Sequence, residues 1–99
     1  MAYAIDYSPD AISHLDALRR FDQVRISVAI EKVLRDDPLV PSRRRKQMRS
    51  NLISAWELRI SNFRAYYDVD ETRSIVFVRA IGVKVHNRVL IGGEEVELS

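Results

Sequence analysis

The middle of the chain, from Trp56 to Asp70, reads Trp-Glu-Leu-Arg-Ile-Ser-Asn-Phe-Arg-Ala-Tyr-Tyr-Asp-Val-Asp. Apolar and polar residues alternate here in two runs, and a period of two is the one that a β-strand imposes on its side chains. We therefore predict two short strands around a tight turn. One face of this hairpin carries Trp56, Leu58 and Ile60 from the first strand and Phe63, Ala65, Tyr67 and Val69 from the second.

The opposite face of the predicted hairpin carries Glu57, Arg59, Arg64 and Tyr66. If the Trp56 face is buried, these four side chains lie together on the wet side of the sheet. Two guanidinium groups, a carboxylate and a phenol could bind a phosphate and move a proton. They could also form the ordinary polar side of a half-buried hairpin, and the alternation alone favours this second interpretation.

The composition indicates a single soluble domain over residues 1–99. Charged residues make up 30% of the chain and hydrophobic residues 46%, which is typical of a globular protein. No apolar run approaches the roughly 20 residues that span a bilayer, and no signal segment is recognisable, so we expect a cytoplasmic protein without a membrane partner. The sequence has no cysteine, and its two histidines, His14 and His86, are too few for a metal site. No cofactor is expected, and His14, which lies off the apolar stripe of its helix, is expected at the surface.

Positive charge is concentrated just before and within the hairpin. The net charge of the whole chain is +2, but residues 43–64 hold seven Lys or Arg residues and one acidic residue. Such a block is expected in a protein that binds a polyanion, nucleic acid first, and a solvated basic loop is the alternative. Tyr66 is a candidate for stacking on a base or donating a proton, or it covers the outer face of the hairpin. The candidate RNA-binding residues of the block are Arg43, Arg44, Arg45, Lys46 and Arg49.

The first forty residues predict a strand and two helices. Residues 3–7 alternate as a strand, and Ser8 and Pro9 are a suitable N-cap and first residue for a helix. We expect this helix to end near Arg19 and Arg20, and Asp22 could cap a second helix that ends before the prolines at 38 and 41. The apolar faces consist of Ala11, Ile12, Leu15 and Leu18 in the first helix and Ile26, Ala29, Ile30, Val33 and Leu34 in the second.

The second half of the chain predicts an antiparallel β-meander. Residues 42–55 are a basic loop or short helix, and residues 74–80 are a strand rich in β-branched residues that Gly82 interrupts. Residues 84–91 form another short strand or a flexible extension, and residues 92–99 begin with a Gly-Gly turn and form an acidic tail that could be flexible. The order indicates an α+β domain with an N-terminal strand, a two-helix hairpin and an antiparallel meander. The predicted core contains Ile12, Leu15, Leu18, Ile26, Ile30, Val33, Trp56, Leu58 and Phe77.

Several motifs in this order resemble the RelE/ParE superfamily, the toxins of bacterial type II toxin–antitoxin pairs. The resemblance covers nearly the whole chain, from the helix that rises at Pro9, through the basic segment ahead of Trp56, to the strand that ends at Gly82. Its most specific part is the aromatic-Arg-x-x-Tyr element that begins at Phe63 and includes Arg64. The resemblance implies a RelE/ParE-like fold and a cognate antitoxin as partner.

Two activities are known in this superfamily. RelE-like members cut mRNA in the ribosomal A site by attack of a ribose 2′-hydroxyl on the adjacent phosphate, without a metal, whereas ParE-like members inhibit DNA gyrase. The nuclease reaction needs a proton acceptor, cations for the developing negative charge and a proton donor. We expect a ribosome-dependent mRNA endoribonuclease that inhibits translation, with ribosome and mRNA as partners. A gyrase inhibitor without nuclease activity and a non-toxic, antitoxin-binding regulatory remnant are the alternatives.

The resemblance implies roles for three residues, and chemistry suggests two further candidates where the family pattern is missing. Arg64 matches the strand arginine that holds the scissile phosphate, Arg59 falls on a basic strand position, and Lys84 is nearest to the basic residue of the last conserved strand. Glu57 stands where the RelE-type nuclease has a basic residue, and the tyrosine expected a few residues beyond Lys84 is absent. Glu57 and His86 could replace the missing groups as base and acid. Otherwise Glu57 forms a salt bridge with Arg64 or Arg59, and His86 is an exposed residue of the tail.

Overall fold

The computed structural model describes residues 2–96, and two helices and seven strands lie within them. In chain order, the elements are β1 (Ala4–Tyr7), α1 (Pro9–Asp16), α2 (Arg20–Leu34), β2 (Arg45–Gln47), β3 (Trp56–Ile60), β4 (Phe63–Asp70), β5 (Ile75–Val85), β6 (Arg88–Ile91) and β7 (Glu94–Val96). The predicted α+β order of a strand, a helical hairpin and a meander is confirmed.

The strands form one sheet around the long strand β5. Strands β2 to β7 lie side by side in chain order, and every neighbouring pair among them is antiparallel. Strand β1 pairs with β5 in parallel over residues 75–78, and β6 pairs with β5 over residues 82–85. Because β4 pairs along almost the whole of β5, β1 and β6 share its other edge, one after the other.

The hydrophobic core lies between the helices and one face of this sheet. Ile26, Ile30 and Leu34 of α2 are fully buried, as the predicted stripe requires. On the sheet, Trp56 is buried and stacks on Tyr67, with ring centroids 6.1 Å apart. The predicted inner face of the β3–β4 hairpin is therefore confirmed from Trp56 to Tyr67.

Two residues, Ile12 and Phe77, were predicted in the core but do not lie in it. Ile12 is half exposed, because the short helix α1 turns Ala11 toward the sheet and leaves Ile12 on its outer side. Phe77 lies on the face of β5 opposite to its fully buried neighbours Val76 and Val78, since side chains alternate along a strand. The guanidinium groups of Arg73 and Arg79 lie 5.9 and 5.2 Å from the centre of the Phe77 ring.

The helix starts are confirmed in one case and wrong in the other. The Ser8 hydroxyl accepts a hydrogen bond from the Ala11 amide at 3.0 Å and caps α1 as predicted. However, α1 ends at Asp16, so Arg19 and Arg20 belong to the start of α2. Arg19 is the N-cap residue of α2, its side chain makes no capping hydrogen bond, and Asp22 lies in the first turn.

Two strand predictions also need correction. Within residues 42–55, Arg45–Gln47 form a strand that pairs with β3. Strand β5 runs on through Gly82 to Val85. Gly82 therefore does not break the strand; it leaves room for the Tyr66 ring, which would lie 3.2 Å from a Cβ atom at this position. The Gly-Gly turn is confirmed, and within the predicted acidic tail Glu94–Val96 form a strand that pairs with β6. Residues 97–99 of that tail lie outside the described residues.

Among residues 2–96, no helix is long and apolar enough to cross a membrane.

Candidate nucleic-acid interface

The outer face of the β3–β4 hairpin holds the four side chains that the alternation predicts. The strand register places Glu57 opposite Tyr66 and Arg59 opposite Arg64. The prediction that this face is wet is wrong for three of the four. Glu57 is 8% exposed, Arg64 7% and Tyr66 0%, so only Arg59 is an exposed residue. The Tyr66 ring lies close to the backbone of Gly82, where the side chains of Val89 and Ile91 of β6 also converge.

The phenol of Tyr66 is buried and neutral. Its hydroxyl has no hydrogen-bond partner within the described part of the chain. Burial, followed by the negative charge of Glu57, raises the pKa of Tyr66 above its ordinary value of 10.0. The phenol therefore keeps its proton near neutral pH and is a weaker acid than an exposed tyrosine. The prediction that it stacks on an RNA base is not supported, since its ring is fully covered.

Glu57 is held by an arginine of its own strand. Its Oε1 atom lies 3.3 Å from Nε of Arg59, and the exposed fractions of the two side chains are 10% and 47%. The salt bridge predicted as one alternative for Glu57 therefore exists, with Arg59 as the partner and not Arg64. This contact pairs the carboxylate with a cation at the margin of the buried face.

Arg64 is a buried cation without an acidic partner among residues 2–96. Its Nη1 atom donates to the carbonyl oxygens of Ser61 at 2.9 Å and of Phe63 at 2.8 Å, which holds the guanidinium at the β3–β4 turn. These bonds leave its other N–H donors without a protein partner in the same residues. Like charges directly opposite each other on a sheet repel, and Arg59 is the residue opposite. An anion bound at this point would relieve both the repulsion and the missing counter-charge.

A cleft of about 750 Å³ lies at this end of the sheet. It is formed by the β3–β4 turn, the end of β5 with its following turn, and the first turns of α2. Three of the five candidate catalytic residues, Arg64, Lys84 and His86, line it together. The Lys84 amide donates to the carbonyl oxygen of Asn62 at 2.7 Å, which ties β5 to the β3–β4 turn. His86 has a φ of 57° in the β5–β6 turn, so the turn and not a tail places its side chain.

Glu57 and Arg59 do not line this cleft. Glu57 lies two strands from β5, level with Ala80, and His86 lies six residues beyond Ala80. At about 4.8 Å per strand and 3.3 Å per residue, their Cα atoms are roughly 20 Å apart. The candidate base Glu57 and the candidate acid His86 are thus far apart, and the cations Arg59, Arg64 and Lys84 lie between them.

The cleft also contains charged residues that the sequence analysis missed. Arg19, Asp22 and Arg25 reach it from the first turns of α2. The Asp22 carboxylate already pairs with Arg19, Oδ2 to Nε at 3.2 Å. No local pattern distinguishes Arg25 from the other surface arginines of α2, so only the assembled fold identifies it.

The basic segment ahead of β3 divides into surface and structural residues. Arg43, Arg44, Lys46 and Arg49 are exposed, as nucleic-acid binding requires. Arg45 is half buried, and its Nε donates to the carbonyl oxygen at position 40 at 2.7 Å. Arg45, also predicted as an RNA-binding residue, therefore fastens the loop before β2 with this bond.

Strand β2 brings part of this segment beside the hairpin face. Lys46 lies opposite Glu57 in the register of β2 and β3. The Arg44 carbonyl accepts a hydrogen bond from the Arg59 amide at 2.8 Å. Basic residues consequently extend from the β2 edge across the sheet to Arg64. Within residues 2–96, no three His, Cys, Asp or Glu side chains cluster closely enough to hold a metal ion.

Two solved structures show the same fold, both of RelE toxins from RelBE complexes. The first is the toxin–antitoxin complex RelBE2 from Mycobacterium tuberculosis, with a TM-score of 0.70 and 20% identity over 85% of this chain and 100% of that chain. The second is the archaeal RelE–RelB complex from Pyrococcus horikoshii OT3, with a TM-score of 0.68 and 12% identity over 87% of this chain and 99% of that chain. No protein-family model matches this sequence, and no curated protein matches it. The chain therefore has the RelE toxin fold.

Proposed function

We propose that this protein is the toxin of a bacterial type II toxin–antitoxin pair and acts in the cytoplasm as a ribosome-dependent mRNA endoribonuclease. The RelE toxin fold supports the class of protein. Arg64 carries the proposal of nuclease activity, because a buried guanidinium that has no carboxylate partner among residues 2–96 and lines an open cleft is suited to an anionic substrate.

The proposed reaction is an in-line displacement at phosphorus without a metal. A proton leaves the ribose 2′-hydroxyl, O2′ forms a bond to phosphorus, and the bond from phosphorus to O5′ breaks. O5′ takes up a proton, so the products are a 2′,3′-cyclic phosphate and a 5′-hydroxyl end. Arg64 and Lys84 stabilise the charge that develops on the phosphate oxygens, and Arg59, opposite Arg64, adds a third cation.

Glu57 and His86 are the proposed proton acceptor and donor. In-line displacement places these groups on opposite sides of one phosphorus atom, each within hydrogen-bond reach of an oxygen on it, and His86 lines the cleft with Arg64 whereas Glu57 does not. The roughly 20 Å between their Cα atoms is long for a single phosphate. The roles are therefore tested one residue at a time: Glu57→Gln and His86→Gln should each lower the rate about 10²-fold if the group transfers a proton.

A cognate antitoxin is the proposed partner outside the ribosome. The exposed basic residues from β2 to the cleft attract an acidic protein as well as RNA. An antitoxin that covers this face would block access to Arg64 and keep the toxin inactive.

Induction of the chain alone in a bacterium tests the function. Protein and DNA synthesis are followed separately, and a prompt stop in translation is expected. Arg64→Ala should abolish the arrest, since losing one preorganised donor costs about 10²- to 10³-fold in rate, and Arg64→Lys should restore it only in part because an ammonium lacks the bidentate fork. Arg73→Ala is the matched control, because Arg73 pairs with Asp70 on an exposed turn away from the cleft.

The Arg64 variants must be shown to fold, because Arg64 also holds two turn carbonyls. A melting curve and antitoxin binding provide this check. If folded Arg64→Ala arrests growth as wild type does, the catalytic assignment is wrong.

Gyrase inhibition is the second candidate function. It is favoured by the acidic residue Glu57 at a basic position of the nuclease and by the absence of a tyrosine from residues 86–91. Arrest of replication before translation, unchanged by Arg64→Ala, would establish it. If induction affects neither process, a regulatory, antitoxin-binding remnant is the remaining function.

A further inference from the structure

The wall of the cleft formed by α2 has no part in the mechanism above. It faces the phosphate-binding residues across the cavity and carries Arg19 and Arg25. The cleft as a whole holds four basic side chains and one carboxylate. Because Asp22 is already paired with Arg19, the uncompensated charges are Arg25 on one wall and Arg64 and Lys84 on the other.

Arg25 is the unpaired cation of the α2 wall. Its residue is exposed, and it forms no ion pair or side-chain hydrogen bond with any other residue between 2 and 96. Arg19, in contrast, forms a salt bridge with Asp22, whose side chain is only 13% exposed. The two arginines therefore differ in role: Arg19 serves the fold, and Arg25 is available to a ligand.

The cleft is too large for one phosphate group alone. Its volume of about 750 Å³ falls within the range of roughly 300–1,000 Å³ that accommodates whole organic ligands. Ser61 and Asn62 of the β3–β4 turn lie in its lining between the two charged walls. A ligand with one negative charge would pair with the cations of one wall and leave those of the other wall unpaired. A chain with regularly spaced negative charges could pair with Arg25 on one wall and with Arg64 and Lys84 on the other.

We propose that Arg25 binds a second phosphate of a single-stranded RNA whose neighbouring phosphate lies at Arg64, so that the strand crosses the cleft from the sheet to α2. The identity of the strand as RNA rests on the function proposed above. Arg25 is a binding residue for the substrate backbone in this scheme and takes no part in bond breaking.

Binding of a short, dye-labelled RNA strand to the full chain at several salt concentrations tests this inference. Each lost phosphate contact lowers the slope of log binding constant against log salt by about 0.7 for single strands. We expect Arg25→Ala to show this decrease and to bind several-fold more weakly at low salt. Arg20→Ala is the matched control, since Arg20 is an exposed arginine of the same helix that does not line the cleft.

A nucleoside monophosphate separates the two phosphate positions. Its binding should weaken in Arg64→Lys and remain unchanged in Arg25→Ala, because a single phosphate occupies only the Arg64 position. Equal effects of Arg25→Ala and Arg20→Ala on RNA binding would reduce Arg25 to general surface charge. Unchanged RNA binding in Arg25→Ala, or a loss confined to antitoxin binding, overturns the inference.

Failure of the second phosphate position can be told apart from failure of the proposed nuclease function. A wild-type chain that binds RNA through Arg25 but does not arrest translation contradicts the nuclease and leaves the second phosphate position standing. A chain that arrests translation while its RNA affinity is independent of Arg25 contradicts only the second phosphate position.

Discussion

The Nδ1 atom of His14 accepts a hydrogen bond from the backbone amide of Ile81 at 3.2 Å, and this bond joins residues 67 positions apart. It lies where β1 has left the edge of β5 and β6 has not yet begun to pair with it. Ile81 is buried, so its amide would otherwise lack a partner. The expectation that His14 is a plain surface residue is wrong, because its imidazole completes the edge of the central strand.

Replacing His14 with Leu should destabilise the fold. The leucine keeps the bulk of the side chain but leaves the Ile81 amide unpaired, which costs about 1–3 kcal/mol. Urea unfolding followed by circular dichroism measures the change. Ser13→Ala, at an exposed position of the same helix, should not lower the midpoint, because alanine is the better helix former. An equal loss in both variants would mean that the bond to the Ile81 amide does not account for it.

The two adjacent tyrosines of β4 should respond oppositely to loss of the hydroxyl. The Tyr67 hydroxyl donates to the buried Pro38 carbonyl at 2.6 Å, so Tyr67→Phe should cost about 1–2 kcal/mol. The Tyr66 hydroxyl has no partner among residues 2–96, so Tyr66→Phe should be neutral or stabilising. Thermal unfolding of the two variants compares them directly, and a large loss in Tyr66→Phe would mean that the Tyr66 hydroxyl bonds to the neighbouring Glu57 carboxylate.

The protein should lose stability as the pH rises above about 10. Burial raises the pKa of Tyr66 and of Tyr67 above their ordinary value of 10.0. Below that value both phenols are protonated in the folded and unfolded states alike. Above it, the unfolded chain releases these protons and the folded chain does not, so unfolding becomes more favourable. Phenolate absorbance should therefore rise together with the loss of circular dichroism, and phenolate formation in a chain that stays folded would contradict the prediction.

Truncation of Trp56 should be the most damaging single change in the hairpin. Trp56 is 6% exposed and stacks on Tyr67, and Trp56→Ala should cost about 3–5 kcal/mol. Leu52, which is fully exposed, provides the control, since Leu52→Ala removes no buried surface. An unchanged melting temperature in a soluble Trp56→Ala variant would mean that the buried face of the hairpin is assigned backwards.

The exposed basic residues ahead of β3 should affect binding without affecting the fold. Combined replacement of Arg43, Arg44 and Lys46 with Ser should weaken ribosome association at moderate salt and change stability by less than about 0.5 kcal/mol. Arg45→Ser should instead destabilise the chain, because Arg45 donates to a loop carbonyl. Sedimentation with ribosomes and thermal unfolding measure the two effects. Unaltered ribosome binding in the triple variant would make this segment a solvated loop.

The sequence alone determined the features that depend on local periodicity. Alternation between Trp56 and Tyr67 predicted the hairpin and its inner face, and Ser8 with Pro9 predicted the start of α1. Each of these signals lies within a few residues, where strand pleat or helix capping acts directly on the backbone. The α+β order followed from such signals taken in sequence.

The tertiary structure decided which residues meet. Whether Tyr66 faces water depends on β6 and on the close approach allowed by Gly82, both distant in sequence. Only the register of β3, β4 and β5 shows that Arg64 shares a cleft with His86 while Glu57 lies beyond it. Arg25 likewise belongs to the candidate site only because the fold brings α2 beside this end of the sheet. Long-range pairing and burial set these relationships, and no local period in the sequence encodes them.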